Sequence, residues 1–200
     1  MDFAVEENKQ KAAGRWKLLM VLAICAAPLL FSYFTYYVIK PEGRTNYGAL
    51  IDPRAHPLPD VGATLLDGTP TALDRFKGKW ILLHVGSAAC DQSCQRRLLE
   101  MRQLRLMQGK EMERIERVWL ITDQQPVETL LMREYEGTTI LRAKPEALKS
   151  WLPAETGTVM EDHLYMIDPL GHLMMRFPKD ADPSKVKKDI AKLLRASAIG

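Results

Sequence analysis

The longest uninterrupted hydrophobic pattern in this chain lies near its N-terminus. No residue from Leu18 to Ile39 is charged. A helix of that length, at ~1.5 Å per residue, would span a bilayer core of ~30 Å. The run ends in bulky residues rather than in the small residues of a signal-peptide cleavage site, which favours a retained anchor over a cleaved signal peptide.

Beyond residue 60, apolar runs and amphipathic stretches alternate. Residues 79–85 and 117–122 are dominated by apolar residues, which is typical of buried central strands. Apolar residues at helical spacing predict a helix from about residue 91 or 93 to residue 107, with Arg96, Arg97, Arg102 and Arg105 on its solvated face. The remaining signals are a hairpin turn at Asp67-Gly68, a helix after Pro126, a short strand at 138–143, a helix from Glu146, a strand pair joined at Asp168–Gly171, and a last helix capped by Asp182.

This order of elements predicts an α/β fold with a thioredoxin-like mixed sheet flanked by helices, preceded by one N-terminal transmembrane helix. The predicted organisation is a cytoplasmic N-terminus at 1–17, the transmembrane helix at 18–39, a Pro-rich linker at 40–60 and the thioredoxin-like domain at 61–200. The basic residues before the span predict a single-pass protein of the inner membrane, with a cytoplasmic N-terminus and a periplasmic domain.

Charge and cysteine content limit the classes of function that this chain could have. The net charge is +3, from 28 basic and 25 acidic residues that are interleaved, so we expect no nucleic-acid partner. Of the three cysteines, Cys25 lies in the apolar span and only Cys90 and Cys94 lie in the domain. A disulfide-stapled small domain would carry more cysteines, so this pair indicates chemistry rather than scaffolding.

Cys90 and Cys94 stand where the first buried strand gives way to a helix. The helix N-terminus favours thiolate over thiol, so Cys90 is expected to be the exposed, activated member, with Cys94 one turn further in. Residues at i and i+4 share one helix face. Two thiolates at this spacing suit a redox couple or a soft ion such as Cu(I), which would need a third ligand. The remaining alternative is an inert buried pair. Two further residues are predicted to have structural roles. His84 is assigned to the core or the surface, and Asp123 to the cap of the next segment.

The segments "FKGKWILLHVGSAACDQSC", "VWLITD" and "EDHLYMIDPLGHLMMRF" together resemble the SCO/SenC family of membrane-anchored thioredoxin-fold proteins. That family delivers copper to cytochrome c oxidase or reduces its thiols. The resemblance implies a copper site at Cys90, Cys94 and His163. An alignment on the last "YMIDPLG" strand places Met160, another soft donor, at the third position instead.

The leading hypothesis is therefore a SCO/SenC-like assembly factor for cytochrome c oxidase that binds copper or reduces thiols through its CxxxC dithiol. Its partners would be an oxidase subunit or other respiratory assembly factors. Two alternatives stay open: a general periplasmic thiol-disulfide oxidoreductase, and a non-catalytic docking protein of a respiratory complex. The sequence does not separate copper delivery from thiol reduction, so it leaves open whether the protein is an enzyme.

Overall fold

The computed structural model describes residues 3–39 and 46–199, and side chains within 16–38 and 46–199. The chain divides into two units, one up to residue 45 and one from residue 46 onward. In the first unit, helix α1 (Phe3–Phe34) continues into a π-helical turn at Thr35–Ile39. Residues Trp16–Val38 form a helical stretch that is long and apolar enough to cross a membrane. The apolar helix predicted at 18–39 is thus confirmed.

The second unit is built on one six-stranded mixed sheet with the order β1-β6-β5-β2-β3-β4. Its strands are β1 (Ala49–Leu50), β2 (Trp80–Gly86), β3 (Ile115–Ile121), β4 (Thr138–Arg142), β5 (Leu164–Ile167) and β6 (Leu173–Arg176). Its helices are α2 (Gln92–Leu106), α3 (Thr129–Glu134), α4 (Pro145–Trp151) and α5 (Pro183–Ala196). The predicted thioredoxin-like mixed sheet flanked by helices is confirmed.

Strand β2 is the centre of the sheet, as its continuous apolar sequence predicts. Every one of its residues is buried. It pairs in parallel with β3 and antiparallel with β5, so that His84 lies between Trp119 and Leu164. Because β2 is covered on both faces, its direction and its ends are fixed by packing, and so is the start of the loop that carries the cysteines.

Alternate residues of β2 enter two different cores. Leu82 packs with α2 and α5 in a cluster that also contains Cys90 and Cys94. Ile81, Leu83 and Val85 face the other side, where the cluster includes Met160. The period-2 alternation of a strand thus assigns the dithiol and Met160 to opposite faces of the sheet.

Residues 46–60, which the Pro-rich composition predicts to be linker, contact the domain. Ala49 and Leu50 pair with β6 as an edge strand. The buried carboxylate of Asp189 accepts hydrogen bonds from the backbone N–H groups of Tyr47 and Gly48, at 2.7 and 2.9 Å. The compact unit therefore begins ahead of residue 61, because long-range hydrogen bonds hold a segment that its composition alone would leave extended.

Candidate functional site

The junction between β2 and α2 positions the two cysteines. Asp91 is the N-cap of α2, and its side chain accepts a hydrogen bond from the backbone N–H of Cys94 at 2.9 Å. The side chain of Gln95 donates to the carbonyl of Cys90 at 3.1 Å. Cys90 thus lies just before the helix and Cys94 within its first turn, so the sequence-predicted placement of the pair is observed.

Cys90 and Cys94 are joined by a disulfide, with their Cα atoms 5.1 Å apart. Both residues are buried, with 4% and 8% of their surface exposed, so Cys90 is not the more exposed member that its position predicts. They lie in a cleft of about 370 Å³ lined by residues of β2, by the loop that follows it, and by Glu161 and Asp162. Both cysteines therefore lie in the wall of this cleft.

Asp123, at the end of β3, braces the loop that precedes Cys90. Its carboxylate accepts from the hydroxyl of Ser87 at 2.5 Å and from the N–H of Ala88 at 3.2 Å. It also accepts from the N–H of Gln125, as the predicted cap of the next segment would. Desolvation opposes ionisation, yet these hydrogen bonds and the nearby Arg142 hold the pKa of Asp123 below its usual value. The carboxylate therefore stays charged and keeps the loop in place.

His163, the predicted third ligand, is fully buried and occupied elsewhere. Its Nδ1 lies 2.9 Å from the carbonyl of Phe177 and its Nε2 lies 2.7 Å from the hydroxyl of Thr158. Burial lowers its pKa, with the Phe177 carbonyl opposing the shift. The cleft is lined by its neighbours Glu161 and Asp162 rather than by His163 itself.

Met160, the alternative third ligand, is buried in the core on the far side of the sheet. Among the described residues, no group of three or more His, Cys, Asp or Glu side chains is assembled to hold a metal ion. The structure thus brings Cys90 and Cys94 together and leaves His163 and Met160 in other contacts. The role of those two residues as ligands stays a prediction.

His84, which the sequence assigned to the core or surface, lies at the site. It is 1% exposed, it lines the cleft, and neither ring nitrogen has a hydrogen-bond partner. Desolvation lowers its pKa from 6.5 to about 4; the carbonyl of His163, outside hydrogen-bond geometry, opposes the shift. The strand alternation that turns His84 and Gly86 to the cysteine side could have revealed it in the sequence.

One family model matches residues 80–197, from the start of β2 through α5, and its description is "Transmembrane-like, thioredoxin-like, C-terminal domain". The chain belongs to this family. The match contains both cysteines and every other candidate residue named above. No curated protein sequence matches the chain significantly.

Solved structures with the same fold include several Sco proteins. A SCO1/SenC family lipoprotein from Bacillus anthracis is 17% identical, with a TM-score of 0.53 over 72% of this chain and 99% of that one. Copper-bound Sco1 from yeast is 16% identical, with a TM-score of 0.53 over 70% and 91%. Apo Sco1 from Thermus thermophilus is 18% identical, with a TM-score of 0.53 over 78% and 98%. These structures confirm the resemblance to SCO/SenC proteins at the level of the fold.

Proposed function

We propose that this family member is a membrane-anchored assembly factor for cytochrome c oxidase that acts by thiol–disulfide exchange at Cys90 and Cys94. The observation that carries the proposal is the disulfide in the cleft at the start of α2. The disulfide joins two residues that lie outside the sheet, one just before α2 and one in its first turn. One of the Sco relatives with this fold is described as carrying a disulfide switch and as a cytochrome c oxidase assembly protein.

The exchange transfers two electrons to the partner. In the reduced protein, the Cys90 thiolate attacks one sulfur of a partner disulfide, and the other partner sulfur leaves as a thiolate that takes up a proton. The Cys94 thiolate then attacks Cys90 in the mixed disulfide and expels the second partner thiolate. The partner ends as a dithiol and the protein as the observed disulfide, which an external dithiol donor must reduce again.

The test uses the full-length protein in detergent, with Cys25 replaced by serine in every variant. The reduced protein is mixed with an oxidised peptide that carries the two copper-site cysteines of an oxidase subunit. We expect turnover of the peptide, a trapped mixed disulfide with Cys94→Ser, and no trapped product with Cys90→Ser. Equal turnover on insulin would favour a general oxidoreductase instead.

A complementation experiment separates exchange from docking. We expect a Cys90→Ala, Cys94→Ala double variant to leave a deletion strain without assembled oxidase. Full restoration of oxidase activity by that variant would contradict the proposal and favour the non-catalytic docking role.

Copper delivery is the second candidate. It is supported by the copper-bound state of structural relatives from yeast and Arabidopsis thaliana, and by the soft sulfur donors that reduction of the disulfide would release. Copper would then be cargo, held by both thiolates and passed on by ligand exchange. His163 or Met160 could complete its ligands only by leaving its present contacts. Titration of the reduced protein with Cu(I) should give one bound ion, and Cys90→Ser should abolish it.

We assign the membrane anchor to Trp16–Val38, which runs from α1 into the π-helical turn that follows it. We propose that it holds the protein in the inner membrane with the N-terminus in the cytoplasm and the dithiol domain in the periplasm. Reporter fusions test this orientation: a periplasm-dependent phosphatase fused after residue 199 should be active, and one fused before α1 should be inactive.

A further inference from the structure

An unpartnered histidine lines the same cleft as the disulfide. His84 is 1% exposed, both of its ring nitrogens lack hydrogen-bond partners, and its side chain forms part of the cleft wall. Buried polar groups in native proteins nearly always have a partner, so an orphaned imidazole needs an explanation such as an absent ion. Its position in central β2 excludes rotation into solvent as a simple remedy.

The space in front of His84 is kept open by a glycine. A Cβ atom on Gly86 would lie 3.3 Å from His84 Nε2, 3.5 Å from Trp119 Nε1 and 3.8 Å from Cys94 Sγ. Three polar or soft atoms therefore converge on a volume that any larger residue would begin to fill. The indole N–H of Trp119 also lacks a partner and, being a donor only, could donate to a thiolate there.

The two predicted third ligands, His163 and Met160, are less suited to bind an ion beside the cysteines. Both nitrogens of His163 are hydrogen-bonded, to Phe177 and Thr158, and Met160 lies in the opposite core. Moving His163 towards the sulfurs would break two hydrogen bonds, one of them buried, whereas the ring of His84 has none to lose. Neutral imidazole with two thiolates is a donor set that suits Cu(I).

We propose that His84, and not His163, is the third donor of a soft-metal site that Cys90 and Cys94 form once their disulfide is reduced. The site would take Cu(I) as cargo, and this inference rests on the copper-delivery role proposed above. Two electrons from an external dithiol donor open the disulfide, and the two thiols release their protons when the ion binds. The imidazole binds through a nitrogen lone pair without a change of charge.

The experiment counts the nitrogen and sulfur ligands of bound copper. Full-length protein carrying Cys25→Ser is reduced anaerobically, loaded with Cu(I), and studied by X-ray absorption and by competition with a chromophoric Cu(I) chelator. His84→Leu is compared with His163→Gln, and thermal unfolding checks that each variant is folded. Gly86→Ala is the second variant, since it keeps all donors but places a methyl group between them.

We expect two sulfurs and one nitrogen in the parent protein and in His163→Gln. In His84→Leu the nitrogen should be lost and the affinity should fall at least ~10-fold, because even residues that only orient a ligand change metal affinity ~10–100-fold. Gly86→Ala should also weaken binding while leaving the fold intact.

Three results would overturn the inference. Loss of the nitrogen in His163→Gln alone would assign the third donor to His163 and leave copper delivery standing. Copper bound by sulfur alone in the parent protein would show that no histidine is a ligand, and it would also leave copper delivery standing. If the parent protein binds no copper, the inference and copper delivery both fall, while peptide turnover still decides thiol exchange.

Discussion

His84 on β2 and His163, which directly precedes the neighbouring strand β5, show how differently one residue type is used in one fold. Backbone pairing places His84 opposite Leu164, the residue next to His163. His163 makes two hydrogen bonds, and His84 makes none. A hydrogen-bonded imidazole stabilises the fold that it joins, whereas an orphaned one costs about 1–3 kcal/mol of desolvation. His84 therefore lowers the stability of the fold, as functional residues often do.

Replacement of His84 by leucine should consequently stabilise the protein. We expect His84→Leu to raise the free energy of unfolding at pH 7 by about 1–2 kcal/mol, because an apolar side chain of comparable size replaces unsatisfied polar atoms. Urea denaturation of the full-length protein in detergent measures the change. A loss of more than ~1 kcal/mol would show instead that the imidazole makes a favourable contact in the fold.

The same variant should change the pH dependence of stability. The pKa of His84 falls from 6.5 to about 4 in the folded protein, so the unfolded chain binds the proton more readily. The contribution of neutral His84 to the free energy of unfolding is complete above pH 6.5 and is lost as the pH falls towards 4. The wild-type protein should lose about 3 kcal/mol more than His84→Leu between pH 7 and pH 4, which parallel unfolding curves would measure. Parallel loss in both proteins would contradict the lowered pKa.

Two helices offer a matched comparison at the scale of the element. Asp91 caps α2 by accepting from Cys94, and Asp182 caps α5 by accepting from the N–H of Ser184 at 2.8 Å. Both caps satisfy a backbone donor of a first turn. Of the two, Asp91 lies in the cleft beside the disulfide. Substitution of Asp182 therefore reports the stability effect of losing a cap, and substitution of Asp91 adds any effect on the disulfide.

We expect Asp91→Ala and Asp182→Ala each to cost about 1 kcal/mol of unfolding free energy. Asp91→Ala should in addition raise the reduction potential of the dithiol by about 10–30 mV, because it removes a negative charge beside the thiolates and ~30 mV corresponds to ~1.4 kcal/mol. Equilibration in thiol buffers measures the potential. An equal shift in both variants would show that the potential follows global stability instead.

At the scale of the whole molecule, one buried carboxylate ties the segment after residue 45 to the last helix. Asp189 on α5 is 2% exposed and accepts from Tyr47 and Gly48, more than 140 positions away in sequence. Residues 47–50 are therefore held at one edge of the sheet, beside β6.

Removal of this carboxylate should release the edge strand. We expect Asp189→Ala to destabilise the domain by about 2–4 kcal/mol, since two backbone donors lose their acceptor, one of them buried. Asp189→Asn, which keeps one acceptor oxygen, should cost less. Hydrogen exchange at residues 47–50 should accelerate strongly in the alanine variant. Unchanged exchange there would show that pairing with β6 holds the segment without Asp189.

Much of this protein follows from local patterns in its sequence. The continuous apolar runs determined β2 and β3, and the helical spacing of Leu98, Met101 and Leu104 determined the buried face of α2. The turn and cap residues predicted the final strand pair and α5. The placement of Cys90 and Cys94 also followed, because strand-to-helix junctions are local and the i, i+4 spacing fixes the shared face.

Contacts between distant segments were decided by the tertiary structure alone. Arg97 was expected to be solvated with the other arginines of α2, yet it is 4% exposed and paired with Glu100 at 2.9 Å. Strand alternation alone turns His84 to the cysteine side, but the lack of partners for its ring nitrogens depends on which residues lie across the sheet, and no local spacing encodes those residues. The sequence determined the elements and the dithiol because these depend on near neighbours along the chain; the orphaned imidazole and the anchored edge strand depend on residues brought together only by folding.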